Sequence, residues 1–386
     1  MNATTSQAAL PGKPDAHDAA VDERVRRIPR WRGLFNRPEF GAIAGTLLVF
    51  VLFGVFAGDS GMFNLDGVMS WAQVAAYLGI LAVGACLLMI AGEFDLSIGS
   101  MVGFAGMMMA VPASFLGWPV WASVLFAFAG CMALGWLNGY LVVRTRLPSF
   151  IVTLAFMFIL RGGTLVLSTH FANSTIVGGM GARLAADPVV SMLFQGNTFH
   201  ALFAWLAHAG LVDTLPDGAP VVDGLPKVLL WWLAVAVGAG FMLSRTRFGN
   251  WVFIVGGDNG AAKNAGIPVN RVKISLFVFT AFCACLFGVL QVADVGSAAA
   301  DRGLQKEFEA IIAAVIGGAL LTGGYGSVLG ACFGALIFGV VQVGISFTAI
   351  DSDWYRVFLG AMLLLAVLFN HYIRMQAGRS RAGAGK

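Results

Sequence analysis

Long apolar runs, broken at intervals by short polar segments, set the first constraint on this chain. A helix that crosses a bilayer needs about 20 mostly apolar residues. On that scale the pattern predicts spans over 40–57, 72–91, 96–116, 120–143, 150–168, 228–243, 274–294, 308–321, 328–347 and 355–370. The fold expected is therefore an all-α membrane protein of about ten transmembrane helices. Within the long polar stretch 169–227, residues 199–211 are apolar but too short to span. They suit an interfacial helix, a cover over the outer mouth, or part of a re-entrant pair.

Composition agrees with this pattern. Of 386 residues, 58% are apolar and 11% charged, against about 45–50% and 25% in soluble domains. So little charge cannot cover a water-facing surface of this size. The 50 glycines fit helices that approach closely in lipid. Cys86, Cys131, Cys283, Cys285 and Cys332 all lie in apolar runs without metal-ligand or redox spacing, and are read as small packing residues.

Charge then orients the chain, because basic residues collect in cytoplasmic loops. An even number of spans puts both termini on one side, together with the Arg144/Arg146 turn and the loop 244–273. The basic residues lie in these segments: Arg24, Arg26, Arg27, Arg30, Arg32 and Arg37, then Arg245, Arg247, Lys263, Arg271 and Lys273, then Arg374, Arg379, Arg381 and Lys386. The loops on the other side carry Asp59 and Asp66, then Asp187, Asp213, Asp217 and Asp223, then Asp301 and Glu307, the last of these weakened by Arg302 and Lys306. Both termini are thus expected to be cytoplasmic. Residues 1–38 form a basic, disordered tail without the apolar core of a signal peptide, 39–372 one membrane domain, and 373–386 a second basic tail. The basic tail is an orientation signal in this reading, and no nucleic-acid partner is expected.

Three polar segments and a few isolated groups are the candidates for chemistry. In Ala91-Gly-Glu-Phe-Asp-Leu-Ser-Ile-Gly-Ser100, two carboxylates interrupt an apolar run. Charge at a membrane break is costly and points to function. Glu93, Asp95 and Ser97 either line or gate a pathway, or form a plain turn in which Asp95 or Ser97 caps the next helix. Pro148 suits a helix start and places Arg161 about 20 Å along that helix, where it needs Glu93, Asp294 or a carbonyl as partner. In the loop 244–273, residues 258–265 suit a short helix capped by Asp258 or Asn259 and stopped by Gly266. It is either a docking element for a soluble partner or an ordinary connector. Gln73, Asn138, Gln291, Asp294 and Gln342 are isolated polar groups suited to interhelical hydrogen bonds or to solute contact. No Walker-type phosphate loop, serine triad or zinc spacing occurs. The chain is therefore not expected to be an enzyme, and its energy source lies elsewhere. Gly99-Ser-Met-Val-Gly103 echoes Gly326-Ser-Val-Leu-Gly330, each after a helix break, a faint sign of two related halves.

These segments resemble the permease subunits of ABC importers for monosaccharides: the ribose, xylose, galactose and arabinose group. Glu93-Phe-Asp-Leu-Ser-Ile-Gly-Ser100 is similar to the family's Gly/Glu-Ile-Asp-Leu-Ser-Val-Gly-Ser. Arg247-Phe-Gly, Gly256-Gly-Asp-Asn and Ala261-Ala-Lys-Asn-Ala-Gly-Ile267 resemble its cytoplasmic loop. Ile316-Gly-Gly and Gly323-Gly-Tyr-Gly-Ser-Val-Leu-Gly330 resemble its late glycine signature. Pro148-Ser-Phe-Ile-Val-Thr-Leu tilts the likeness toward xylose-type permeases, while polyol permeases share the framework. The resemblance implies a type II ABC importer-like permease in a bacterial inner membrane, working as a dimer with a second permease copy. Its implied partners are a cytoplasmic ABC ATPase, which carries the ATP-Mg, and a periplasmic sugar-binding protein; the chain itself is expected to bind no cofactor. The coupling loop would comprise Gly256, Gly257, Asp258, Asn259, Ala261, Ala262, Lys263 and Gly266. One departure is Gly260, where the family usually has an acid. The contrasting reading, an ion-coupled secondary transporter, would need membrane-embedded carboxylates such as Glu93, Asp95 or Asp294 to hold the ion.

Overall fold

In the computed structural model of the chain the described residues are 38–216, 218–348, 351, 353–362, 364, 365 and 368. The expectations for the two tails lie outside them. The described part is helical, with paired strands only two residues long. Eight helices among the described residues are long and apolar enough to cross a membrane. Five precede the long polar stretch: α1 (Pro38–Ala57), α2 (Leu65–Ile90), α3 (Ile98–Phe115), α4 (Val120–Thr145) and α5 (Ser149–Ala172). In the polar stretch lie β1 (Ile176–Val177), α6 (Met180–Ala185), α7 (Pro188–Phe194), β2 (Asn197–Thr198), α8 (His200–His208) and β3 (Leu225–Pro226). Then come α9 (Lys227–Arg245), α10 (Arg247–Gly257), α11 (Asn259–Asn264), α12 (Val269–Val295), β4 (Ala298–Ala299), α13 (Lys306–Ile316) and α14 (Val328–Ser346). The apolar run at 199–211 becomes the short helix α8, flanked by the antiparallel pairing of β2 with β3.

One of the ten expected spans differs, and another is only partly described. The expected span 308–321 is α13, 11 residues long, or about 16 Å, half a bilayer's apolar thickness. The expected span 355–370 is helical at 354–362, 364, 365 and 368, and its remaining residues lie outside the described ones.

Helix ends sort onto two faces. On the basic face, the end of α2, the start of α5 and the start of α12 meet: Phe94 N–H donates to Ser149 Oγ (3.0 Å), and Lys273 pairs with Glu93. On the opposite face, Met180 N–H donates to Gly296 O (3.0 Å) and Arg183 Nη1 to Ala113 O (3.0 Å). There β1 pairs with β4. From that face the chain turns back inward. Gly303 packs against Gly99, Glu307 reaches Arg161 midway along α5, and Gly324 N–H bonds Ile90 O (2.8 Å) on the basic face. A non-helical segment and the short helix α13 together run between the two faces, as backbone without helix can at depth where protein covers it.

Helices α2, α3, α12 and α14 form the centre, with 83%, 78%, 78% and 67% of their most apolar stretches buried. Helices α1, α4, α5 and α9 wrap them and turn Leu47, Val55, Phe158, Val166, Leu233 and Phe241 outward. Lipid tails are as apolar as leucine, so close packing rather than water exclusion holds such helices together. Helix α4 shows how. A Cβ at Gly135 would lie 2.7 Å from Phe277 O, and one at Gly139 would lie 2.9 Å from Ile274 Cα, both on α12.

Gly139→Leu is expected to lower stability by about 1–3 kcal/mol through overpacking. Gly163→Ala on α5, where nothing lies within 4 Å, is expected to be neutral or slightly stabilising. Thermal unfolding of both variants in detergent tests this; an unchanged melting temperature for Gly139→Leu contradicts the close α4–α12 crossing.

Candidate functional site

The break after α2 begins with a helix stop that only its local sequence can make. Gly92 has φ +80°, a conformation that costs glycine nothing. Its N–H bonds Met89 O (2.9 Å) and the Glu93 N–H bonds Leu88 O (3.1 Å), the paired bonds of a Schellman stop. The chain then climbs along α5. Phe94 and Leu96 donate their N–H groups to Ser149 Oγ and Thr153 Oγ1, each at 3.0 Å. Asp95 Oδ1 accepts from Ser97 N (2.8 Å) and Ser97 Oγ (2.5 Å), while Asn138 Nδ2 donates to Ser97 Oγ (3.0 Å). Asp95, Ser97 and Asn138 are thus brought together as one buried set in the turn before α3, whose N-cap residue Ser97 makes no side-chain capping bond to the helix.

Glu93 is held differently. It forms a buried ion pair with Lys273 on α12. Asn259, its amide turned to satisfy its neighbours, accepts from Lys273 Nζ (3.1 Å) and donates to Val255 O (3.1 Å). The break is therefore tied to the α10–α11 loop through one lysine. Asp258 caps α11 by accepting from Gly260 N (2.7 Å) and Ala261 N (3.0 Å), and Gly266 leaves it at φ +76°. Ala262 alone is buried in α11; Asp258, Asn259, Ala261 and Lys263 face outward.

Behind the ion pair, three backbones touch. A Cβ at Gly256 would overlap Ile90 O and lie 2.7 Å from Gly324 N, and one at Gly323 would lie 2.9 Å from Gly92 Cα. Residues 90–93, 256–257 and 323–324 are distant in sequence and come from the three segments singled out above. Here they form one junction on the basic face. Gly256 and Gly257 belong to it through their backbones and Asn259 is tied to it through Lys273, whereas Asp258, Ala261, Ala262, Lys263 and Gly266 stand outside it.

A second charged cluster lies between the faces. Arg161 Nη2 reaches Glu307 Oε1 at 3.4 Å, so its partner is neither Glu93 nor Asp294. Glu307, expected as an outer-loop acid, is 1% exposed, and Lys306 pairs with the buried Glu309 at 2.5 Å. Sequence reading missed Glu307 and Glu309 as buried groups. The available signal was two acids and a lysine abutting the apolar run 310–316, which cannot enter lipid without partners. Asp294 is satisfied locally by Gln73 Nε2 (2.7 Å) and Tyr77 Oη (3.4 Å). Gln291 shares its helix face by spacing and is half-buried. Gln342 is half-buried on α14.

Glu93→Gln leaves a desolvated lysine with a neutral partner and is expected to destabilise by about 3–5 kcal/mol. Adding Lys273→Met should recover most of that loss. Denaturant unfolding of the single and double variants checks this, and additive effects would mean that the two groups are not a buried pair.

Comparison with known proteins places these features. The family model described as "Branched-chain amino acid transport system / permease component" matches residues 67–367. The chain is 32% identical over 359 residues to the xylose transport system permease protein of Escherichia coli, covering 86% of this chain and 91% of that protein. It is 30% identical over 366 residues to the fructose import permease protein of Rhizobium meliloti, covering 94% and 92%. To the ribose import permease protein of Escherichia coli it is 32% identical over 312 residues, covering 80% and 87%. The chain belongs to this permease family.

Proposed function

From membership of that family, we propose that this multi-pass membrane protein is the permease subunit of an ATP-driven importer for a monosaccharide such as xylose, ribose or fructose. The observation that carries this reading is the glycine junction. A short, outward-facing helix, α11, is joined through Gly256 and the Asn259–Lys273–Glu93 link to both broken elements of the membrane domain. A soluble motor that pushes α10–α11 thereby moves the breaks at 91–97 and 317–327 together.

In this reading the basic face is cytoplasmic. An ATPase subunit carrying ATP-Mg docks on Asp258, Ala261 and Lys263. A periplasmic sugar-binding protein docks on the stretch 169–227, and a second permease copy completes the path. Hydrolysis belongs to the ATPase; this chain contributes alternating access. The candidate pathway residues divide by geometry. Asp95, Ser97 and Asn138 shape the break, Glu93 ties it to the loop, and Arg161 sits deepest. Ion coupling is the less supported alternative, because Glu93 and Asp294 are occupied by partners of this same chain.

The test is uptake of labelled xylose, ribose and fructose into proteoliposomes holding the chain with its ATPase and binding protein. Uptake should require ATP and both partners. Ala261→Trp on the exposed face of α11 should cut uptake by about tenfold or more, the loss of an interface hot spot, without lowering the melting temperature. Uptake that persists without the ATPase and collapses with a proton or sodium ionophore would sink the proposal.

A further inference from the structure

Arg161, whose partner is Glu307, lines a cavity that the junction does not explain. It holds about 290 Å³ and is lined in part by Ser100, Arg161, Thr175, Asp301, Arg302 and Leu304. Thr175 and Asp301 are exposed beside the β1–β4 pairing, so the cavity opens toward the face away from the basic loops. Arg161 lies midway along α5 and sets its depth. At its inner end Ser100 is 5% exposed, and its Oγ has no hydrogen-bond partner. The second oxygen of Glu307, beside Gly99, is also buried and unpartnered. Buried polar atoms without partners are uncommon in folded proteins, and the Ser100 hydroxyl, which lines the cavity, is suited to meet a ligand there.

The lining chooses among ligands by charge and size. Glu307 already balances Arg161, and the lining also holds one acid, Asp301, and one further guanidinium, Arg302. The site is close to neutral overall, so an anion would meet one spoken-for guanidinium and one opposing carboxylate. A neutral polyhydroxylated solute would meet donors in the guanidinium groups and acceptors in Asp301, Ser100 and Thr175. Leu304 offers an apolar surface to its C–H face. The volume is near the lower end of small-ligand pockets, about 300 Å³, which suits one sugar ring and not two. We infer that this cavity is a station for a single neutral monosaccharide, receiving it from the opposite face before it passes the α2–α3 break. The inference rests on the sugar-permease reading and adds a place and a set of contacts to it.

The complete importer in proteoliposomes supplies the test. Leu304 is exposed, so Leu304→Trp fills the cavity without disturbing a core. It should reduce uptake of xylose, ribose and fructose by about tenfold or more, as expected for loss of a shaped contact. ATP hydrolysis stimulated by the binding protein should stay near the wild-type rate. In a parallel measurement, Leu304→Cys is labelled by a membrane-impermeant maleimide, and the transported sugar should slow that labelling while inorganic phosphate should not. Uptake by Leu304→Trp at the wild-type rate, or labelling slowed by phosphate and not by sugar, overturns the station. Should Leu304→Trp lose hydrolysis as well as uptake, the labelling result decides. A wild-type importer that moves none of the three sugars overturns the sugar reading itself, which is a separate outcome.

Discussion

The hydrogen bond from the Gly324 amide to the Ile90 carbonyl joins two helix breaks on the basic face. Inside a bilayer each unsatisfied backbone group costs several kcal/mol, so a membrane protein can interrupt a helix only by supplying partners from elsewhere in its own chain. Here the interruptions at 91–97 and 317–327 supply them to each other and to the α10–α11 loop. Ser149 and Thr153 provide hydroxyls for the first break, and Ile90 provides a carbonyl for the second. Glycine is required where the backbones touch, because a single Cβ at Gly256 would overlap the Ile90 carbonyl oxygen. The breaks and the loop therefore cannot drift apart independently.

The same constraint governs the charges. Each buried carboxylate near a break has a partner on another element or in its own turn: Glu93 with Lys273, Glu307 with Arg161, Glu309 with Lys306, and Asp95 with Ser97. Removing one member of such a pair leaves a desolvated charge, so the pairs fix which segments move together more than they add net stability. A transporter driven by ions would instead need a carboxylate free to exchange its partner for the ion. The arrangement fits a machine whose energy arrives mechanically through a loop.

Much of this was legible along the chain because it depends on local pattern. Apolar length gave the eight long helices, and Asp258 with Gly266 bounded α11 as their capping chemistry requires. The polar break at 91–100 was visible as charge in an apolar run. What could not be read locally was pairing across distance. Arg161 and Glu307 are 146 residues apart, and spacing holds no record of such a contact. For that reason α13 was taken for a short span and Glu307 for a loop acid. Apolar residues in 308–321 satisfy a hydropathy window whether they cross a bilayer or only half of one. The meeting of Gly92, Gly256 and Gly323 was likewise visible only as three separate glycine-rich motifs.

The half helix α13 links the two functional regions. Its first turn holds Glu307 beside Arg161 and the sugar-sized cavity, and its end leads through Gly317 into the segment that reaches the junction at Gly323 and Gly324. Eleven residues of helix span about 16 Å as a stiff rod. The rod thus connects the segment that reaches the junction with the carboxylate facing Arg161. Gly334 on α14 packs against the backbone of Ala313, and Gly317 packs against Gly330, so α14 braces the rod from the side. The half helix is anchored at both ends: before it, β4 pairs with β1 and Gly303 packs on Gly99, and after it Gly323 and Gly324 meet Gly92 and Gly257, so one short rod ties the opposite face to the junction.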